Sequence, residues 1–121
     1  MALGEQQVRK IFEKLDIVRE VKSVTAKSGQ WTEVIPETDI SKYKFKTVSI
    51  RADYGLTFRW YMYDDPAEFR EDDPYIESDL TANRTLVKSS EEDFKYTRVR
   101  VYNPDTADHV VEFCRIKGRR V

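Results

Sequence analysis

The stretch KTVSIRADYGLTFRWYMY, Lys46 to Tyr63, decides the fold. Val48, Ile50 and Ala52 alternate with Thr47, Ser49 and Arg51. After Asp53-Tyr54-Gly55 the alternation resumes, with Leu56, Phe58, Trp60 and Met62 on one face and Thr57, Arg59, Tyr61 and Tyr63 on the other. A strict period of two with this many aromatics is the pattern of half-buried strands. The three-residue connection ending in Gly55 predicts a β-hairpin closed by a type I turn and a bulge, with Gly55 at positive φ.

Outward from that stretch, the chain reads as more strands and turns. Ile17 to Ala26 mixes β-branched residues with charges and predicts a strand, ending at a Lys27-Ser28-Gly29 turn. Trp31 to Ile35 predicts a short strand stopped by Pro36. Tyr43 and Phe45 fall on the phase opposite Val48 and Ile50, which predicts a bulge or a late strand start near Lys46. Asp64 to Asp79 is acidic, carries Pro66 and Pro74, and predicts a surface loop held down by Phe69, Tyr75 and Ile76. Leu80 to Lys88 predicts a further strand. Thr97, Val99 and Val101 alternate with Arg98, Arg100 and Tyr102. Asn103-Pro104-Asp105 supplies turn chemistry, and Val110 to Ile116 returns as a second hairpin, apolar on both faces and so covered on both. Gly118 to Val121 reads as a fraying basic tail.

Before these strands, Val8, Ile11, Phe12 and Leu15 recur at i, i+3, i+4 and i+7. The spacing predicts a short amphipathic helix or arm within residues 1–16, docked either on this domain's own sheet or on a neighbouring subunit. One short helix and some seven strands with regular turn signals predict a mainly β chain. The expected architecture is an antiparallel β-sandwich, jelly-roll-like, forming a single domain over residues 1–121, with a partly open barrel as the main alternative.

Composition limits the function classes. The chain has 121 residues, 36% of them charged, yet 21 basic residues nearly balance 22 acidic ones. A net charge of −1 gives no global attraction to nucleic acid or to an anionic membrane. Cys114 is the one cysteine, so no intrachain disulfide is expected, which suits a reducing cytoplasm or a particle assembled there. No apolar run reaches the roughly 18 residues of a membrane span, and the first residues lack a signal-peptide layout. Asn83-Arg84-Thr85 matches a glycosylation sequon that no secretory signal accompanies.

Chemistry-bearing patterns are few. His109 and Cys114 stand five apart, an odd separation that in a strand puts them on opposite faces. One histidine and one cysteine cannot build the nitrogen and sulfur sets of a zinc site. Asp64, Asp65, Asp72 and Asp73 offer oxygens to a cation, but without the Asp-x-Asp-x-Asp-Gly spacing of a calcium loop. No glycine-rich phosphate loop is present. No catalytic residue, metal ligand or cofactor is assigned, and an enzyme is not expected. Arg59, Tyr61, Arg98, Arg100 and Tyr102 are placed on one outer face, where arginines and aromatics could stack bases or form cross-strand pairs; the charge balance favours the second. Trp31, Tyr61 and Tyr63 are the exposed aromatics a sugar would use, whereas Trp60 falls inward. Together Trp31, Arg59, Tyr61, Tyr63, Arg98, Arg100 and Tyr102 form the candidate interaction surface.

Four segments carry a resemblance. Gln30-Trp31-Thr32-Glu33-Val34, then Lys46-Thr47-Val48-Ser49-Ile50-Arg51-Ala52-Asp53, then Gly55-Leu56-Thr57-Phe58, then Tyr96-Thr97-Arg98-Val99-Arg100-Val101-Tyr102-Asn103 together resemble β-sandwich modules of structural proteins in tailed phages and related viruses. The resemblance runs from about Trp31 to Ile116. It implies a non-enzymatic tail, connector, fibre or capsid-decorating component, located in a virion assembled in the host cytoplasm, with other virion proteins as partners and a homo-oligomeric state. Particle proteins need self-complementary or head-to-tail surfaces. The acidic residues Asp64, Asp65, Asp72 and Asp73 and the basic residues Arg115, Lys117, Arg119 and Arg120 are the candidate charged contacts between subunits.

Overall fold

The computed structural model describes residues 15–120. The helix expected within residues 1–16 lies outside them except for its last two positions: Leu15 is irregular and Asp16 opens the first strand. Eight strands follow: β1 (Asp16–Ala26), β2 (Trp31–Asp39), β3 (Tyr43–Ala52), β4 (Thr57–Tyr63), β5 (Ile76–Asp79), β6 (Leu86–Ser90), β7 (Tyr96–Tyr102) and β8 (His109–Arg120). They form two antiparallel four-stranded sheets, ordered β1-β8-β3-β6 and β2-β7-β4-β5. Only β4 and β5 are consecutive strands within one sheet; every other connection crosses to the facing sheet. Two four-stranded sheets linked in this way are a jelly roll.

The stretch Lys46–Tyr63 therefore keeps its alternation but not its hairpin. Val48, Ile50 and Ala52 of β3 and Leu56, Phe58, Trp60 and Met62 in and beside β4 are all buried. β3, however, pairs with β8 and β6, and β4 pairs with β7 and β5. Two alternating strands bury the same side chains whether they lie side by side or face each other across a core, so the period cannot choose between these arrangements. The connection is held across to β8, with the Asp53 amide donating to the Val110 carbonyl at 3.1 Å and the Val110 amide to Asp53 Oδ1 at 3.0 Å. Gly55 does not take positive φ; Gly29, between β1 and β2, does, at 65°.

The second expected hairpin is corrected in the same way, since β7 and β8 lie in opposite sheets. The apolar residues on both phases of β8 come from a register shift between its pairs with Arg51 and Ala52. That bulge near Glu112 returns Cys114 and Ile116 to the inward phase of Val111 and leaves Phe113 outside. Pro36 does not stop β2. As an edge strand, β2 needs no inward donor there, and it runs on to Asp39 through two register shifts. The strand expected over Leu80 to Lys88 starts late, at Leu86, and runs to Ser90, with buried Leu80 beginning the crossing that leads to it; Ile76–Asp79, expected at the end of the surface loop, is instead a strand paired with β4.

The core between the sheets is apolar, with its polar groups satisfied. The Trp60 indole donates to Thr97 Oγ1 at 2.7 Å, and that hydroxyl donates to the Tyr61 carbonyl at 2.9 Å. Asn103 is fully buried; its amide donates to the carbonyls of Ala26 and Ala107, both at 2.9 Å, and its Oδ1 accepts from the Asp105 amide. Lys46 occupies the inward row of β3 with no exposure, its ammonium donating to the carbonyls of Lys44 and Glu92. Burial lowers its pKa, against the opposing pull of Asp93 and Glu92.

Candidate functional site

The seven residues of the candidate surface do share one face. Trp31 of β2, Arg98, Arg100 and Tyr102 of β7, and Arg59, Tyr61 and Tyr63 of β4 all point outward from the β2-β7-β4-β5 sheet, as their registers Trp31↔Tyr102, Arg59↔Arg100 and Tyr61↔Arg98 require. The face is not open. The β4–β5 connection folds back over it and inserts Phe69 among the side chains of β4 and β7. Phe69 meets Tyr61 edge-on at 5.0 Å and Tyr63 at 5.6 Å, and the Arg98 guanidinium lies over its ring at 4.4 Å.

Hydrogen bonds complete the latch. Tyr61 donates to the Glu71 carbonyl at 2.6 Å, as does Arg59 Nη1 at 2.7 Å, while Arg100 Nη1 pairs with the Glu71 carboxylate at 3.0 Å. Arg59 and Arg100 sit opposite each other as like charges, and each has its own carboxylate, Glu77 for Arg59 and Glu71 for Arg100. Arg98 pairs with Glu33 at 2.9 Å and donates to the Tyr63 hydroxyl, which donates in turn to Glu37.

The outcome corrects two of the predicted exposed aromatics. Tyr61 is 1% exposed and Tyr63 6%, because a loop covers the side of the strand that alternation marks as outer. Burial, with the Glu37 carboxylate, pushes the Tyr63 phenol up to about 12 against the pull of Arg98. Trp31 and Tyr102 remain half-buried, their rings 5.4 Å apart with Arg59 over the indole at 4.3 Å. The residue that sequence reading undervalues is Glu71, one carboxylate in a run of many. Phe69 carries the stronger signal, as a large apolar side chain set among the carboxylates of that run.

The charged candidates divide. Asp64, Asp65, Asp72 and Asp73 are all exposed, with Asp65 capping the 3-10 turn Pro66–Glu68 through the Ala67 amide. No group of three potential metal-binding side chains converges among the described residues. At the basic end, Arg115 pairs with Glu20 at 2.8 Å and Arg120 with Asp16 at 3.2 Å. Lys117 and Arg119 share the outer face of the other sheet, Arg119 lying over Phe45 at 6.0 Å.

His109 Nε2 lies 2.6 Å from Asp105 Oδ2, its Nδ1 lies 3.5 Å from Asp53 Oδ1, and its ring stacks on Tyr54 at 4.0 Å. Its hydrogen bond holds the Asp105 carboxyl below its usual range. The bulge in β8 gives His109 and Cys114 the same strand phase, contrary to the expectation from their spacing. They still serve separate ends, since Cys114 is sealed in the core, where burial pushes its thiol pKa up. A cleft of about 130 Å³ beside Phe69, Arg70 and Asp73 is smaller than the roughly 300 Å³ at which small-molecule sites begin.

No protein-family model matches the chain, and no curated protein matches it in sequence. Solved structures do match in fold. The chain is similar to a subunit of the disulfide-linked pili that form Bacillus endospore appendages, with a TM-score of 0.56 and 15% identity over 88% of this chain and 91% of that one. It is similar to PirA at 0.51 and 14%, covering 83% and 93%. It is also similar to a carbohydrate-binding module of Cellvibrio mixtus lichenase 5A in complex with cellotriose, at 0.52 and 6%, covering 87% and 100%. At these identities the likeness is one of fold, a two-sheet β-sandwich.

Proposed function

We propose that the protein is a non-enzymatic structural subunit, a tail, connector or capsid-decorating component of a virion, that works by head-to-tail contact between copies and with other virion proteins. The observation that carries this reading is the latched acidic loop. Phe69 and Glu71 fix the β4–β5 connection against one sheet while Asp64, Asp65, Asp72 and Asp73 stay in solvent. A loop ordered in advance loses little entropy on docking. The complementary surface is on the opposite sheet, where Lys117 and Arg119 line β8 beside Arg115. Donor and acceptor surfaces on opposite faces make a heterologous contact, which closes into rings or extends as a filament. A pilus subunit among the fold neighbours is consistent with such use of the architecture.

Light scattering tests this reading directly. Oligomers that dissociate as salt rises toward 1 M, where screening leaves a range of roughly 3 Å, are the expected result. Asp72→Lys with Asp73→Lys should give monomers, and mixing with a Lys117→Glu, Arg119→Glu protein should restore oligomers in which the two variants alternate. A monomer at every salt concentration, with no partner on intact particles, would overturn it.

A second reading rests on the Trp31–Tyr102 pair, which is the aromatic surface left accessible at the rim of the latch. A carbohydrate- or receptor-binding module would use it, and one fold neighbour was solved with cellotriose. Glycan-array binding abolished by Trp31→Ala would favour this reading over scaffolding.

A further inference from the structure

The outer face of the β1-β8-β3-β6 sheet carries a groove of about 330 Å³, walled by Phe45 and Ser49 of β3, Val87 of β6, Lys117 of β8 and Leu15. Val87 is 58% exposed. One exposed valine is ordinary, but here three apolar side chains from separate parts of the chain line a single depression. Lys117 lies in its wall, and exposed Arg119 follows two positions on along the same strand. An apolar centre edged by charge is the layout of a protein interface.

A surface of matching layout projects from the opposite sheet. Pro66 and Ala67 are exposed in the 3-10 turn Pro66–Glu68 of the β4–β5 connection, with exposed Asp64, Asp65 and Glu68 on either side of them. The turn is held in shape from within. The Ala67 amide donates to Asp65 Oδ1 at 2.9 Å, the Glu68 amide to the Asp65 carbonyl at 2.8 Å, and Arg70 Nη1 to the Ala67 carbonyl at 3.0 Å. Given the head-to-tail contact proposed above, we infer that this turn of one copy seats Pro66 and Ala67 in the groove of the next, against Phe45 and Val87, with Asp64 and Glu68 toward Lys117 and Arg119.

The occupant is a second copy because the turn cannot reach the groove of its own molecule. Phe69, directly after it, packs on Tyr61 and Tyr63 of the other sheet, on the far side of the core. Pairing of like surfaces is disfavoured as well. Groove against groove opposes Lys117 and Arg119 to their own counterparts, and turn against turn opposes carboxylates, whereas turn into groove brings unlike charges together. A groove at the lower end of the size range of small-molecule sites has room for a pyrrolidine ring and a methyl group. A turn already formed gives up little entropy on docking. Charge brings the copies together, and the apolar fit sets their register.

Variants of the full chain that leave its net charge unchanged test the seating. Ala67→Gln and Val87→Asn, both at exposed positions, should each weaken self-association at low salt about tenfold, by setting an amide where an apolar group packs. Crosslinking reads the geometry. An Ala67→Cys protein mixed with a Val87→Cys protein and a short bismaleimide should yield the mixed dimer, and neither should form a dimer alone; the native Cys114 thiol is sealed in the core. An Ala67→Cys homodimer in place of the mixed one would mean turn against turn and overturn the seating. If Lys117→Glu with Arg119→Glu disperses the oligomer while both neutral variants associate like the wild type, the charged contact stands and the seating is overturned. A wild-type protein monomeric at every salt concentration overturns the head-to-tail reading itself, and the seating with it.

Discussion

Tyr63 links a buried phenol to one carboxylate and one guanidinium, and its titration has a calculable consequence. Folded, it keeps its proton up to about 12, whereas an unfolded tyrosine releases it near 10. The unfolded state thus binds fewer protons across that window. The stability from this group is full below pH 10 and is lost as pH rises from 10 to 12, amounting to roughly 2–3 kcal/mol. Urea unfolding across that range should show the decline in the wild type and a shallower one in Tyr63→Phe. Phe69→Ala should cost about 2 kcal/mol, since it removes the ring that Tyr61, Tyr63 and Arg98 enclose, and should expose Tyr61 to solvent quenchers. Asn103→Asp should destabilise more than Asn103→Ala, by about 2 kcal/mol at neutral pH. The new carboxylate would face the Ala26 and Ala107 carbonyls with no donor between them. The outward phase of all seven candidate residues was legible from alternation alone. Their covering was not, because Phe69 lies in a segment whose sequence gives no period and whose contacts are fixed by tertiary packing.

Among the strands, the close approach of β3 and β8 at Gly118 is the least forgiving. A Cβ there would stand 2.6 Å from Tyr43 Cδ1 and 2.9 Å from Tyr43 Cβ, near the root of that side chain rather than at a tip that could swing aside. Gly118→Ala should therefore destabilise by about 1–3 kcal/mol, and adding Tyr43→Ala should recover part of the loss, a coupling that a double-mutant cycle measures. Strand identity was well encoded: the inward rows Val48-Ile50-Ala52, Phe58-Trp60-Met62 and Thr97-Val99-Val101 are read correctly from spacing alone. Strand pairing was not encoded locally. A short turn such as Asp53-Tyr54-Gly55 suits a hairpin and a crossing between sheets equally well, and the choice is made by residues far away, here Val110 and its partners on β8. The bulge that changes the phase of β8 is invisible for the same reason, since it answers to the register of β3.

At the scale of the molecule, every strand except the β4–β5 pair finds its neighbours at long separation in sequence, and β1 pairs with β8. Such topologies fold slowly, because distant segments must meet before any ladder forms. Stopped-flow refolding should fall in the millisecond-to-second range; sub-millisecond folding would contradict this. The pairing of Asp16 with Gly118 also brings the start of the first strand and the end of the last to one corner of the sheet. A label, tether or fused cargo attached at either extremity of the described chain would thus emerge from a single place, leaving the rest of the surface unobstructed. Joining the two extremities through a short linker and reopening the chain elsewhere should preserve the architecture.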